Sequence, residues 1–269
     1  MFTVLPRIGT LSLALLLATG GSDLSTANGR DVQTIVQRWT AANRADFEAA
    51  AHYNYSERVH DDDGTRTYAV VMLFGSPYRQ LVKNNGQPLS ADDRRKEADA
   101  LQKARRERAQ ESPEDRADRI HEYEKDREHA HRIIEEMPHA FQYTLSATRQ
   151  AGSRKVYVLS ATPRPGYQPQ TTEAEVLAGM QGEFWIDTKT FQLVRGSAEV
   201  LRPVSIDGFL ASVQPGTEFE VEQQPLDSGV WLPTHLLIHS RSSIVFVFHH
   251  HTIEDRTYFD YRKVDVVSP

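Results

Sequence analysis

The amino-acid sequence predicts a mainly β fold with added helices, an α+β protein organised around an antiparallel sheet. Residues 182–263 read as five or six consecutive strands joined by turn residues, and within them Phe219 and Val221 alternate with glutamates. Alternation with a period of two places apolar side chains on one face of a strand and charged side chains on the other. Because the connections are short, we expect neighbouring strands to run antiparallel.

The first 27 residues have the pattern of a secretory signal peptide. Arg7 precedes an apolar run at residues 11–18, which is far shorter than the roughly 20 residues of a membrane span. Small residues follow the run, so we expect cleavage between Gly20 and Asn28. The alternative interpretation of the apolar run is a buried N-terminal helix. We therefore predict an exported protein, soluble in the periplasm, with one domain over residues 28–269.

The domain is expected to open with a helix over residues 31–51. Asp31 has the short acceptor side chain of an N-cap, and apolar residues then recur at helical spacing, at Val32, Ile35, Val36, Trp39, Ala42 and Phe47. From Tyr53 the period changes to two, which predicts strands at 53–59 and 67–74. The Asp-Asp-Asp-Gly segment 61–64 predicts the turn between them, since it lacks the later ligands of a calcium loop.

Residues 90–137 interrupt the β pattern with a charged tract of good helix formers. Ser90 and Ser112 each precede acidic residues, and Pro113 stands at a first helical position. We therefore predict a helical hairpin inserted in the sheet, and a disordered charged linker is the alternative. After it we expect strands at 141–149 and 155–161 and a short helical turn at 173–180.

The last strands are predicted at 182–187, 191–201, 217–223, 230–241, 244–253 and 256–263. The run Ile-Val-Phe-Val-Phe at 244–248 is apolar at every position, which is typical of a strand covered on both faces. The N-terminal helix and the helical hairpin could cover one face, and the other face could pack in an ordinary core or line a cavity for an apolar ligand.

Composition excludes several functional classes. The 269 residues include 31 Lys and Arg against 37 Asp and Glu, for a formal charge of −6, which argues against nucleic acid as a partner. Cysteine is absent, so disulfides, thiol catalysis and Cys-ligated zinc are excluded. We predict no cofactor and no transmembrane span in the mature protein.

The candidate chemical motifs are weak. His249 and His251 share a strand face, but they lack a third ligand at a recognisable spacing, so we predict no tight metal site. Glu183 and Asp187 lie on one side of a strand and could suit the acid and base of a glycosidase, although charged residues on a strand face are more often solubilising. No hydrolase elbow, P-loop or dinucleotide-binding motif occurs.

Several short strings together resemble a known family. The N-terminal helix is followed by Tyr53-x-Tyr55, and later by the strings 182–187 (Gly-Glu-Phe-Trp-Ile-Asp), 193–195 (Leu-Val-Arg) and 229–233 (Gly-Val-Trp-Leu-Pro). This order resembles the outer-membrane lipoprotein-sorting, or LolA-like, proteins. The resemblance implies a strongly curved antiparallel half-barrel around lid helices, with an apolar concave face that binds acyl chains or lipidated proteins in the bacterial envelope.

The expected function is therefore that of a non-enzymatic carrier, whose partner is an acyl chain, a lipid or a lipoprotein. An envelope-stress or assembly module that binds another envelope protein is the second reading, and a metal- or carboxylate-dependent hydrolase is the third. The residues expected to line the ligand site are Trp39, Ile133, Met137, Phe184, Ile186, Phe219, Leu236 and Phe246.

Overall fold

A single open, curved antiparallel sheet forms the body of the protein. The computed structural model describes residues 22–206, 211–244 and 248–264. The strands are β1 (Tyr53–Asp61), β2 (Gly64–Leu73), β3 (Ser76–Asn84), β4 (Gln87–Pro88), β5 (Phe141–Ala151), β6 (Arg154–Pro163), β7 (Met180–Asp187), β8 (Leu193–Val200), β9 (Val204–Ile206), β10 (Ala211–Val213), β11 (Glu218–Pro225), β12 (Trp231–Ile244) and β13 (Phe248–Lys263). The helices are α1 (Ser22–Ala50), α2 (Ala91–Ala109) and α3 (Pro113–Ala140), and Glu173–Gly179 forms a 3₁₀ helix.

The sheet pairs the first strand, β1, with the last, β13. Its strand order is β4-β3-β2-β1-β13-β12-β11-β8-β7-β6-β5, with β10 attached to β12 and β9 attached to β10. Register shifts between Asn54 and Ser56 and between Glu222 and Gln223 interrupt the ladders, and such irregularities bend strands and increase their twist. The architecture confirms the predicted mainly β fold with a curved antiparallel sheet, an N-terminal helix and a charged helical hairpin.

Helix α1 packs its apolar stripe on one face of the sheet, here called the inner face. Val32, Ile35, Val36 and Trp39 are all buried, and the Trp39 ring lies 5.2 Å from the ring of Phe184 on β7. The predicted stripe is therefore correct. The predicted N-cap is wrong: the helix begins at Ser22, so Asp31 lies within it, because the residues before Asp31 also adopt the helical conformation.

The two helices of the hairpin begin where the sequence predicts. The Ser90 hydroxyl accepts a hydrogen bond from the Asp93 amide at 3.1 Å, and the Ser112 hydroxyl accepts one from the Asp115 amide at 3.0 Å. Helix α2 buries none of its residues. Helix α3 lies beside α1 and continues through Pro138 to Ala140, whose side chain is buried.

The end of the chain differs from the prediction. One strand, β13, covers most of the range that was predicted as two strands, 244–253 and 256–263. Glu254 and Asp255, at the predicted break, continue the ladder opposite β12. Both have side-chain partners within the sheet: Glu254 pairs with Arg256 on the same strand, and Asp255 lies 2.9 Å from His235 Nε2 on β12.

The apolar run at 244–248 is also placed differently. Ile244 ends β12 and pairs with Phe248 at the start of β13, so the run spans the end of a hairpin rather than the middle of a strand. Phe246 and its two neighbours lie outside the described residues, as do residues 1–21 of the predicted signal peptide. None of the described helices is long and apolar enough to cross a membrane.

Candidate functional site

Most of the predicted ligand-binding residues meet in the main core on the inner face. Trp39, Phe184 and Ile186 are 1%, 4% and 0% exposed and belong to one buried cluster. Ile133 and Met137 of α3 are half-buried and pack against that cluster. These five side chains therefore lie together in a packed core, where neighbouring side chains fill the space around them.

The remaining three predicted residues lie at the margin of the core or beyond it. Phe219 packs against the core and also borders a shallow cavity of about 400 Å³ between β6, β7, β8 and β11. Leu236 is half-buried, and its register opposite Val221 and Arg256 puts it on the inner face. Phe246 lies outside the described residues.

A large cavity opens between α1, the end of α3 and β5, and we call it the α1–β5 cavity. Its volume is about 1000 Å³. Val32 and Val36 of α1 and Tyr143 of β5 line it and also pack in or against the main core. The Tyr143 hydroxyl donates to the Met137 carbonyl at 3.2 Å, and burial raises the pKa of Tyr143. Side chains at the margin of the apolar core therefore line this cavity.

Charged side chains form the rim of the α1–β5 cavity. Arg44 of α1 forms ion pairs with Glu128 at 3.1 Å and Glu135 at 3.4 Å, both on α3. Arg164 donates to the carbonyls of His139 at 2.9 Å and Phe141 at 2.8 Å, which fixes the corner between α3 and β5. The rim thus combines a rigid corner with a salt-bridged contact between two helices.

A second cavity lies between α1, α3 and the strands β1, β11, β12 and β13, and we call it the α1–α3 cavity. Its volume is about 570 Å³. Aromatic rings line much of it, at Phe47, Tyr55, Tyr123, Trp231 and Tyr258. The polar side chains that line it are Asn43, Asp46, Asp126, Arg127, His131, Gln223 and Arg256.

A charged network borders the α1–α3 cavity on the sheet side. Glu57 of β1 is 3% exposed and accepts hydrogen bonds from Arg79 at 2.7 Å and Arg256 at 3.0 Å. Tyr55 and Tyr258 lie beside it, with ring centres 5.9 Å apart. Burial, reinforced by the nearby Glu57 carboxylate, raises the pKa of both phenols. This half of the inner face is therefore polar and aromatic, whereas the half near β7 is apolar.

Sequence reasoning missed the residues of the α1–α3 cavity, although one signal was present. Asn43 and Asp46 continue the inward stripe of α1 after Trp39, and both are buried. Polar residues on an apolar stripe are unusual enough to indicate a special environment. The aromatic residues from β1 and β13 could not be grouped with them without the strand order.

The carboxylates weighed as a glycosidase pair have separate structural roles. Glu183 accepts a hydrogen bond from the Trp185 indole at 2.7 Å. Asp187 accepts from the amides of Lys189 at 2.8 Å and Thr190 at 2.9 Å, and so it closes the turn after β7. No catalytic arrangement of these two carboxylates is evident from their contacts.

Metal-ligating side chains are not clustered in the described part of the chain. Within it, no three His, Cys, Asp or Glu side chains are grouped to hold an ion. The side chains of His249 and His251 lie outside the described ones, so the prediction of no tight metal site there stays a prediction.

Comparisons with known proteins give distant structural similarities. A DUF1329 family protein from Desulfovibrio piger matches with a TM-score of 0.33 and 11% identity, over 90% of this chain and 95% of that chain. An outer membrane lipoprotein-sorting protein domain from Vibrio parahaemolyticus matches with a TM-score of 0.34 and 8% identity, over 90% of this chain and 95% of that chain. A LolA superfamily protein from Nitrosomonas europaea matches with a TM-score of 0.30 and 12% identity, over 88% of this chain and 94% of that chain.

The sequence matches no protein-family profile, and no curated protein matches it.

Proposed function

We propose that this protein is a non-enzymatic carrier of the envelope, which binds the acyl chain of a lipid or a lipidated protein in the α1–β5 cavity. The observation that supports the proposal is the position of this cavity, which Val32, Val36 and Tyr143 line at the margin of the apolar core. In this proposal the protein is exported to the periplasm and passes its ligand to or from a membrane.

The size of the cavity suits such a ligand. Its volume of about 1000 Å³ lies at the upper end of the range for small-molecule sites, roughly 300–1,000 Å³. Each buried methylene contributes about 0.8 kcal/mol, so roughly ten of them supply the free energy of micromolar binding before ordering costs are subtracted. Part of one long acyl chain is therefore a sufficient ligand.

The rim offers a way for a long chain to enter. The ion pairs of Arg44 with Glu128 and Glu135 join solvent-exposed side chains, with exposures of 39%, 38% and 49%. Exposed pairs of this kind contribute about 0–1 kcal/mol each. The contact between α1 and α3 at the rim can therefore open at low cost while the buried stripe of α1 stays in place.

The test is the binding of a fluorescent fatty-acyl probe to the purified protein and to two matched variants. Ala41 is exposed on α1 and lines the cavity, so Ala41→Trp should narrow the mouth without disturbing the core. Ala45 is equally exposed, one turn further along the helix, and is not among the lining residues. We expect saturable binding to the wild type and to Ala45→Trp, and binding weakened about tenfold or more in Ala41→Trp.

Two results would count against the proposal. The first is a folded wild type that takes up the probe only in a linear, unsaturable way. The second is equal binding by Ala41→Trp and Ala45→Trp, which would place the probe elsewhere.

A further inference from the structure

Asp46 is a buried carboxylate that is only half satisfied. It lies on the inward stripe of α1 and is 8% exposed. Its Oδ1 accepts a hydrogen bond from the Trp231 amide at 3.0 Å. Its Oδ2 is buried without a hydrogen bond of ordinary geometry from the described residues, the Gln192 side chain being a weak neighbouring donor, and no described Lys or Arg forms an ion pair with Asp46. A buried charge without a partner is costly, so this position requires an explanation.

Two further buried oxygen atoms around the same cavity lack partners. These are Asn43 Oδ1 and Gln223 Oε1, which accept no hydrogen bond within the described chain. Asn43, Asp46 and Gln223 all line the α1–α3 cavity. Three residues that line the cavity thus carry unsatisfied acceptor atoms, and a ligand that fills it should carry hydrogen-bond donors.

The cations near the cavity are already occupied. Arg256 is bound to Glu57 and Glu254. Arg127 is bound to Glu124 at 2.5 Å and donates to the Phe47 carbonyl. Neither arginine neutralises Asp46, so the carboxylate has no counter-ion among the described residues.

The aromatic walls favour a cation as well. Trp231, Tyr55 and Tyr258 line the cavity together with Asp46, and the faces of such rings attract an ammonium group. One cation already contacts Trp231, since the Arg154 guanidinium lies 4.6 Å from the ring centre. The site therefore combines a carboxylate, amide oxygens and aromatic rings in one partly enclosed space.

We propose that the α1–α3 cavity binds the primary ammonium group of a ligand, with Asp46 as its counter-ion. An ammonium group has three N–H donors and no acceptor, which matches the three unsatisfied oxygen atoms of Asp46, Asn43 and Gln223. The group is supplied either by a free alkylamine or by a lipid headgroup such as ethanolamine. This site is separate from the α1–β5 cavity, and the proposal does not depend on acyl-chain binding there.

The proposal is tested by titration calorimetry with hexylammonium at neutral pH. Hexanol keeps the alkyl chain without the charge, and hexyltrimethylammonium keeps the charge without the N–H donors. We expect hexylammonium to bind at least about tenfold more tightly than either, since hydrogen bonds to charged groups are the stronger ones. Asp46→Asn, which keeps an acceptor for the Trp231 amide, should lose this preference, whereas Asp118→Asn, at an exposed position of α3 that does not line the cavity, should keep it.

Equal binding of hexylammonium and hexanol to the wild type would overturn the proposal, and so would an unchanged preference in Asp46→Asn. If Asp46→Asn does not fold, Gln223→Met is tested in its place. A folded Gln223→Met variant that still prefers hexylammonium over hexanol as strongly as the wild type overturns the proposal.

The source of the ammonium group is identified with vesicles that carry ethanolamine headgroups and vesicles that carry choline headgroups. Tighter binding to the ethanolamine vesicles indicates a lipid headgroup, and equal binding to both indicates a free amine.

Discussion

Individual carboxylates in this protein are buried in three different ways. Glu57 lies between two arginines, and Asp46 has one backbone partner and no counter-ion. Asp187 closes a turn and lies 3.4 Å from Arg154. Burial raises the pKa of Asp46, against hydrogen bonds from Trp231 and Gln192. Environment rather than residue type therefore decides what each carboxylate does.

Asp187 should make stability depend on pH. Burial alone would raise its pKa, but hydrogen bonds from Thr190, Lys189 and Arg154 outweigh burial and hold the pKa below its ordinary value. A carboxyl group whose pKa is lower in the folded state stabilises the fold above its unfolded pKa of about 3.9, and this stabilisation is lost as the pH falls through the folded pKa.

Asp187→Asn should therefore lower the free energy of unfolding by about 1–2 kcal/mol at pH 7, and the difference from the wild type should shrink below pH ~4. Urea unfolding at several pH values measures this difference. Asp118→Asn, at an exposed position of α3, serves as the control. If the free energies of unfolding of the wild type and Asp187→Asn differ by a constant amount down to pH ~3, the lowered pKa assigned to Asp187 is contradicted.

At the scale of elements, arginines attach the helical hairpin to the sheet. Arg108 of α2 donates to the carbonyls of Leu73 at 2.9 Å, Ser76 at 2.9 Å and Pro77 at 3.2 Å, around the turn between β2 and β3. Gly75 occupies this turn with a φ of +92°, and a Cβ there would lie 2.6 Å from Ile120 of α3. The turn thus needs glycine both for its backbone and for its contact with the hairpin.

Arg108→Ala should loosen α2 without unfolding the sheet. The helix buries no residue of its own, so its position depends on polar contacts, and removing Arg108 leaves three carbonyls without this donor. We expect faster amide exchange across residues 91–109, with strands β5 to β8 unchanged. Arg105→Ala, at an exposed position of the same helix, should leave the exchange rates unaltered. Equal exchange in the two variants would show that the Arg108 contacts do not hold the helix.

At the scale of the whole molecule, the inner face is divided in two. Around β7 it is apolar and close-packed against Trp39 of α1. Around β1 and β13 it is aromatic and charged, with Glu57 at its centre. Each half borders one of the two cavities, so one curved sheet offers two chemically different sites.

Sequence patterns predicted the features that depend on near neighbours. The caps at Ser90 and Ser112 and the apolar stripe of α1 are local, and the structure has them where expected. The continuity of β13 through Glu254 and Asp255 was missed because it depends on their pairing with β12, which the local pattern does not show. The α1–α3 cavity was missed for a similar reason, since residues more than 200 positions apart, such as Asp46 and Tyr258, line it together.

The most direct test of the central claim is photo-crosslinking with a fatty acid that carries a diazirine near its terminal carbon. The carrier account predicts labels on peptides from residues 32–44 and 135–143, which line the α1–β5 cavity, and it predicts that excess unlabelled fatty acid removes them. Labels spread over the outer strands, or labels that excess fatty acid does not reduce, would contradict it.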